Sequence, residues 1–250
     1  LVESKLYRHP DIWTYDIAWE PHVGRYADRC RLDPLWQQWL IEQYGAVELA
    51  EADWGFAVPR TSEGGVTGPS DNQITNDGDW ARMVAAYRRF LDDTISRGYG
   101  RVCRLIRSID PSHLIGARSG YGGTGGAGVD VQMPFDLIAG AAHLDYISPE
   151  AYNLSGDWST FQSGGFTTAY ARWAGNGKPV FWAEYGYTVF ADGISRDLDE
   201  QGRHYQNMLR MVHESGANGH AAWWYPGGFR VGENSDYGII EQDGSPRPAA

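Results

Sequence analysis

The chain has little cysteine, no long apolar segment and little positive charge. Its two cysteines, Cys30 and Cys103, have no Cys-X-X-Cys or Cys/His ligand spacing, which predicts free, buried thiols rather than a disulfide or a metal site. No run approaches the roughly 18 apolar residues that a membrane-spanning helix requires. We therefore expect a protein without a metal, a cofactor or a membrane segment.

The charge balance excludes two further classes of partner. The chain has 32 acidic residues against 21 lysines and arginines, a formal net charge of -11. This charge repels phosphate groups, so we expect neither nucleic acid nor an anionic membrane as a partner. It also weakly disfavours acidic polysaccharides. The chain shows no signal peptide and begins at Leu1 rather than Met, which predicts a processed or excised start.

Aromatic residues, in contrast, are abundant. Eleven Trp and fifteen Tyr bring the aromatic share to 14%, within a hydrophobic share of 42%. Part of this content belongs to a core, but tryptophan-rich clefts also hold sugar rings, whose C–H faces stack on flat aromatic rings. We found no linker and no internal repeat, so residues 1–250 are predicted to form a single domain.

Two predicted strands each run into a glutamate. The segment 11–19 leads to Glu20, which Pro21 keeps extended, and the segment 178–186 carries Glu184 after bulky residues. Strict alternation would place Glu184 on the same face as Trp182. A buried carboxylate beside an aromatic ring is costly unless it is hydrogen-bonded or functional. The alternative is a structural glutamate in a salt bridge at a strand end.

Strands and helices alternate along the chain. The predicted strands are 11–19, 114–119, 144–152, 178–186 and 219–226. Helices are predicted over 33–45, from 79 until Gly98 and Gly100 interrupt it, and over 134–142, 166–173 and 198–214. This order indicates a parallel sheet, doubly wound or barrel, with ligands at the carboxyl ends of its strands. The loop 54–79 is expected to cover the mouth of the cleft, and the glycine-dense loop 120–128 to form a rim rather than a phosphate cradle.

Four segments carry a resemblance to a known family. Residues 16–21, 145–152 and 179–186 resemble the fourth, sixth and seventh barrel strands of clan A glycoside hydrolases, with family 5 cellulases and mannanases nearest. The end of the chain, 221–248, is similar to their eighth strand and the approach to the last helix. The resemblance implies a (β/α)8 TIM barrel, present here as its C-terminal part from about the fourth to the eighth strand. We expect the rest of the polypeptide to supply the missing strands.

The resemblance also implies residue roles. Glu20 falls on the general acid/base and Glu184 on the nucleophile of a retaining, double-displacement hydrolase of β-glycosidic bonds. Tyr152 is a candidate to orient the nucleophile, and either Trp223 or Trp224 is expected to form the floor of the sugar site. The implied substrate is a neutral oligo- or polysaccharide, and the implied location is secreted or extracellular.

Two positions depart from the family pattern. Trp19 stands where family members have the asparagine that binds the sugar 2-hydroxyl, and Glu150 stands where many have histidine. Glu150 is either a polar contact to substrate or half of a salt bridge at the rim. Trp19 leaves open a non-catalytic, carbohydrate-binding protein. A doubly wound enzyme acting on a phosphorylated ligand is disfavoured by the missing glycine fingerprint and the acidic charge.

Overall fold

Among the residues that the structure describes, five short strands run parallel and are paired in chain order. The computed structural model describes residues 5, 7, 9–119, 133–134, 136–152 and 154–250; the predicted rim loop 120–128 lies outside them. The strands are β1 (Thr14–Trp19), β2 (His22–Val23), β3 (Leu114–Ser119), β4 (Met133–Pro134), β5 (Ser148–Pro149), β6 (Phe181–Trp182) and β7 (Gly219–His220).

Backbone pairing arranges the five parallel strands side by side in one continuous order. β1 pairs with β3, β3 with β5, and β6 with β7, always in parallel. Single parallel bridges, Ile147 to Val180 and Glu150 to Glu184, connect β5 to β6. The short strands β2 and β4 form a separate antiparallel pair. The parallel order β1-β3-β5-β6-β7 is compatible with part of a TIM-like barrel.

Helices occupy the connections between the parallel strands. Their bounds are α1 (Tyr26–Arg29), α2 (Asp33–Tyr44), α3 (Val47–Trp54), α4 (Asp71–Thr75), α5 (Ala81–Ile109), α6 (Leu137–Ala141), α7 (Trp158–Ala174) and α8 (Leu198–Glu214), with a 3-10 turn at Cys30–Leu32. None of the helices described combines the length and apolar character that crossing a bilayer requires.

The helix signals in the sequence predict α2 and α8 well and α5 poorly. α2 has Pro34 in its first turn and ends at Gly45, which adopts a left-handed φ of 87°. The predicted break in α5 is wrong, because the helix continues through Gly98 and Gly100. At Gly100 the missing side chain leaves space for a neighbour: a Cβ there would lie 2.9 Å from the ring of His143.

The segment 54–79 packs into the helical part of the molecule. Val58 and Val66 are buried in a core cluster with Trp36, Trp39 and residues of α3 and α5. Within this segment, α4 begins at Ser70, whose side chain forms a reciprocal capping box with Gln73. The segment is therefore an ordered part of this core rather than an open loop.

Two smaller expectations are corrected by the structure. Trp182 faces α7, where its Nε1 donates to Thr168 Oγ1 at 3.1 Å, while the Glu184 carboxylate faces Tyr152. The regular ladder ends at Trp182, so strict alternation does not extend to Glu184. Both cysteines are free, but only Cys103 is buried, whereas Cys30 is exposed.

Candidate active site

Three glutamates meet where the parallel strands end. Glu20 follows β1, Glu150 follows β5 and Glu184 lies two residues after β6. One carboxylate oxygen from each lies within 4.8 Å of the other two. Parallel strands bring their carboxyl ends to one edge of the sheet, and the backbone bridge between Glu150 and Glu184 holds those two in register. Glu20 and Glu184, distant in sequence, are thus neighbours.

The backbone at Glu20 is irregular. The register between β1 and β3 shifts between Asp16 and Trp19. Glu20 adopts a left-handed φ of 44°, so the expectation that Pro21 makes it extended is wrong. Its N–H donates to the carbonyl of Arg118 at 3.1 Å. A left-handed conformation costs a non-glycine residue on the order of 1–2 kcal/mol. The turn is thus fixed by strand pairing, at the point where the chain presents the Glu20 side chain.

Glu184 is held by two donors. Tyr152 Oη donates to Glu184 Oε1 at 2.6 Å, and Arg118 Nη1 donates to Glu184 Oε2 at 2.7 Å. Glu184 itself is only 6% exposed. Burial, followed by the hydrogen bond to Glu184, raises the pKa of Tyr152, so its hydroxyl remains a donor. Each oxygen of the carboxylate therefore has its own fixed partner.

Sequence reasoning did not identify Arg118. Its Nε donates to Asp16 Oδ2 at 2.5 Å, and its guanidinium carbon lies 5.2 Å from the ring centroid of Trp19. Burial lowers the pKa of Arg118, but the carboxylates of Asp16 and Glu184 outweigh that effect and raise it. The sequence did contain a signal for Arg118, because it lies at the carboxyl end of the predicted strand 114–119. Glu20 and Glu184 occupy the same position at the ends of their predicted strands.

Glu150 lies beneath the other two glutamates. Its side chain is 0% exposed, and as a carboxylate neither oxygen has a hydrogen-bond partner within the described part of the chain. Burial, a hydrogen bond from its protonated form to Glu20 and the charge of Glu184 raise the pKa of Glu150 to about 9. Both expectations for Glu150 are wrong: it is fully buried and does not line the cleft, so it is placed neither to contact substrate nor to form a salt bridge at the rim.

An open cleft of about 600 Å³ lies above this cluster. Its lining residues are Trp19, Glu20, Tyr152, Leu154, Ser155, Glu184, Gly186, Tyr187, Thr188, Ala191, Trp223, Arg230, Glu233 and Tyr237. Trp19 is 63% exposed and offers its ring to the cleft. The predicted lid 54–79 is wrong: in the part of the chain described, none of its residues lines the cleft.

Of the two candidate floor residues, only Trp223 is in the cleft wall. Trp224 packs beside it, with ring centroids 5.1 Å apart. The guanidinium of Arg230 lies over both rings, 5.2 Å from the centroid of Trp223 and 4.7 Å from that of Trp224. Trp224 thus packs against a wall residue without lining the cleft itself, while Trp223 presents a surface on which a sugar ring can stack.

The three glutamate oxygens are spaced closely enough to hold a cation. Arg118 already supplies a positive charge to Glu184, and the cluster offers one spatially constrained oxygen from each residue. Arg118 already engages one oxygen of Glu184, and clusters of acidic groups are common without an ion. We assign no metal to this cluster.

Comparison with known proteins places the fold. No protein-family model and no curated protein matches the chain. Among solved structures, a cold-adapted β-galactosidase from Rahnella sp. R3 has a TM-score of 0.72 and 18% identity over 97% of this chain and 34% of its own. The chain shares the fold of the matched third of this glycoside hydrolase.

Two further structures agree. A β-galactosidase from the Antarctic haloarchaeon Halorubrum lacusprofundi has a TM-score of 0.70 and 18% identity, over 99% of this chain and 38% of its own. The agarase AgWH50C has a TM-score of 0.58 and 19% identity, over 89% and 30%. The chain thus spans about a third of the length of these structures. The likeness supports this fold in general and does not single out the family 5 enzymes.

Proposed function

We propose that the protein is a retaining glycoside hydrolase that cleaves β-glycosidic bonds of a neutral oligo- or polysaccharide. The observation that carries this proposal is the pair Glu20 and Glu184, whose carboxylate oxygens approach within 4.8 Å at the wall of an aromatic cleft. Retaining enzymes hold their two carboxyl groups about 5–5.5 Å apart, whereas inverting enzymes leave about 6.5–9.5 Å for a water molecule. The nearest oxygens of Glu20 and Glu184 are thus closer together than the carboxyl groups of inverting enzymes, which supports the retaining mechanism.

In the first displacement, a Glu184 oxygen forms a bond to the anomeric carbon while the bond from that carbon to the glycosidic oxygen breaks. Glu20 supplies a proton to the departing oxygen. Tyr152 and Arg118 fix both oxygens of Glu184 before substrate arrives, so the nucleophile is positioned in advance.

In the second displacement, Glu20 removes a proton from water as the water oxygen attacks the anomeric carbon. The bond between that carbon and Glu184 breaks, and the sugar leaves with its original configuration. Arg118 and Tyr152 then stabilise the returning charge on Glu184. Trp19 and Trp223 provide the aromatic surfaces that hold the sugar ring.

The similar structures suggest where to look for substrates. They include β-galactosidases and agarases, so β-galactosides and agar oligosaccharides are the first compounds to test, before mannan, glucan and xylan. We also propose that the chain forms the C-terminal part of a (β/α)8 barrel in a single catalytic domain, with the remaining strands supplied by the rest of the polypeptide. Polysaccharide substrates favour a secreted or extracellular location.

Leaving-group dependence tests the proposal. Glu20→Ala should lower kcat on alkyl glycosides about 10²–10⁴-fold, the usual contribution of a general acid, and far less on activated aryl glycosides, which need little protonation. Glu214→Ala, an exposed glutamate of α8 remote from the cleft, is the matched control. Equal losses on both substrate classes would contradict an acid role for Glu20.

The competing function is carbohydrate binding without catalysis. Trp19, which occupies the position of the family's asparagine, is the observation that favours it. Oligosaccharide binding with no hydrolysis of any glycoside in the screen would support this alternative and overturn the enzymatic proposal.

A further inference from the structure

Glu150 is a buried acid that forms no salt bridge with any residue the structure describes. The charged and titratable groups that act on it are Glu20, Glu184, Arg118 and Tyr152. Arg118 is already engaged with Asp16 and Glu184, and Tyr152 donates to Glu184. The donors close to Glu150 are therefore committed to other carboxylates.

The cluster has an excess of negative charge. The three glutamates and the adjacent Asp16 would together carry four negative charges. Among the described residues, Arg118 is the cation paired with this group. Two carboxylates that share a partly buried site cannot both remain ionised at neutral pH, and one of them retains a proton. Between Glu20 and Glu150, burial favours the proton on Glu150, which is the less exposed of the two.

A proton on Glu150 also resolves its unsatisfied oxygens. A neutral Glu150 donates a hydrogen bond to Glu20, and it no longer carries a charge that lacks donors. The same proton lies one hydrogen bond away from the residue that must protonate the substrate.

We propose that Glu20 and Glu150 share one proton in the free protein, and that Glu150 passes it through Glu20 to the departing glycosidic oxygen. The catalytic half of this inference rests on the proposed function. Glu150 is buried and does not line the cleft, so it is a positioning residue that acts through Glu20.

The charges balance at each step. When Glu184 forms its bond to the anomeric carbon, it loses its negative charge. In the same step the Glu20–Glu150 pair gives its proton to the leaving oxygen and gains a negative charge. The total charge of the cluster is unchanged. In the second step a proton from water returns to Glu20 and then to Glu150, while Glu184 leaves the sugar and regains its charge.

Infrared spectroscopy tests the shared proton without any substrate. The wild-type protein should show the C=O stretch of a protonated carboxyl at pH 8, and the band should disappear as the pH rises through about 9. Glu150→Gln, which keeps a hydrogen-bond donor but has no proton to release, should lack the band. If the band is absent from the wild type at pH 8, or is still present in Glu150→Gln, the inference is overturned.

The pH profile tests the relay. Glu150→Gln should move the alkaline limb of kcat/KM to lower pH by about one unit or more on poor leaving groups. The alkaline limb measured with activated aryl glycosides should move little. In Glu150→Asp the limb on poor leaving groups should lie between those of Glu150→Gln and the wild type. A uniform loss at all pH values, with the limb unmoved, would show a merely structural role.

The two proposals fail separately. If the band is present and depends on Glu150 but no glycoside is hydrolysed, the shared proton stands and the proposed function falls. If glycosides are hydrolysed but the band is absent or the limb does not move, the hydrolase stands and this inference falls.

Discussion

Arg118 donates to the Glu184 carboxylate across 2.7 Å, and the same guanidinium holds Asp16 at 2.5 Å. One side chain therefore connects the candidate nucleophile, which follows β6, to the strand that presents Glu20. A planar guanidinium can engage two carboxylates in fixed geometry, whereas an ammonium acts as a compact point charge. The position of Glu184 relative to Glu20 depends on this connection.

Arg118→Lys should lower kcat about 10²-fold, similar to the loss of one preorganised donor at a developing charge. Lysine keeps the charge but cannot hold Asp16 and Glu184 together. Arg107→Lys is the matched control, because Arg107 pairs with Asp145 outside the cleft lining. Steady-state kinetics of both variants provides the comparison; equal losses would show that ion-pair disruption in general, not the Glu184 contact, is responsible.

Tyr152→Phe removes a single oxygen from the site. We expect kcat to fall about tenfold or more with KM little changed, because the lost hydrogen bond positions Glu184 rather than the sugar. In Tyr146→Phe the same atom is removed from a tyrosine that bonds Thr14 at 3.0 Å, outside the cleft lining, and its kinetics should stay close to wild type. An increase in KM alone for Tyr152→Phe would indicate substrate binding instead of orientation.

Trp223→Ala should weaken oligosaccharide binding about tenfold or more, the typical effect of truncating an aromatic anchor. Titration calorimetry with a catalytically inactive background measures this directly. Trp224→Ala should have a smaller effect, since Trp224 does not line the cleft, and Trp173→Ala, on the exposed surface of α7, should have none. A larger loss of binding for Trp224→Ala than for Trp223→Ala would show that Trp224, not Trp223, stacks on the sugar.

His204 should make the protein sensitive to acid. Burial lowers its pKa to about 4 from an ordinary value of 6.5, and it is surrounded by rings that include Phe161 and Tyr185. The unfolded chain therefore binds a proton that the folded chain does not, so stability is present above pH 6.5 and is lost as the pH falls towards 4.

Denaturant unfolding at several pH values checks this expectation. His204→Leu should flatten the decline in the free energy of unfolding between pH 6.5 and 4. His213→Leu, in the exposed last turn of the same helix, should retain the wild-type slope. Parallel slopes for His204→Leu and wild type would contradict the assignment.

Local signals in the sequence were sufficient for much of the fold. Pro34 and Gly45 mark the ends of α2, and the order of strands and helices predicts the parallel pairing. The prediction that strand-end acids gather at one edge also anticipates the meeting of Glu20 and Glu184, because parallel pairing alone brings those ends together.

What the sequence could not supply depends on contacts between distant residues. The sequence predicts that Gly100 interrupts the helix. In the fold the His143 ring occupies the space beside Gly100 where a side chain would otherwise lie. The role of Arg118 depends on its salt bridges to Asp16 and Glu184, which come from distant parts of the chain. From the sequence alone Glu150 is expected at the surface, but in the fold it is fully buried. The segment 54–79 is rich in turn residues, yet Val58 and Val66 anchor it in the core around Trp36.

Covalent trapping of the nucleophile tests the central claim most directly. The protein would be treated with activated 2-fluoro glycosides, beginning with the galactoside, and the labelled peptide identified by mass spectrometry. We predict a glycosyl ester on Glu184 and no label in Glu184→Gln. A label on any other residue, or none from any reagent while oligosaccharides still bind, would contradict the assignment of this cleft as a retaining glycosidase site.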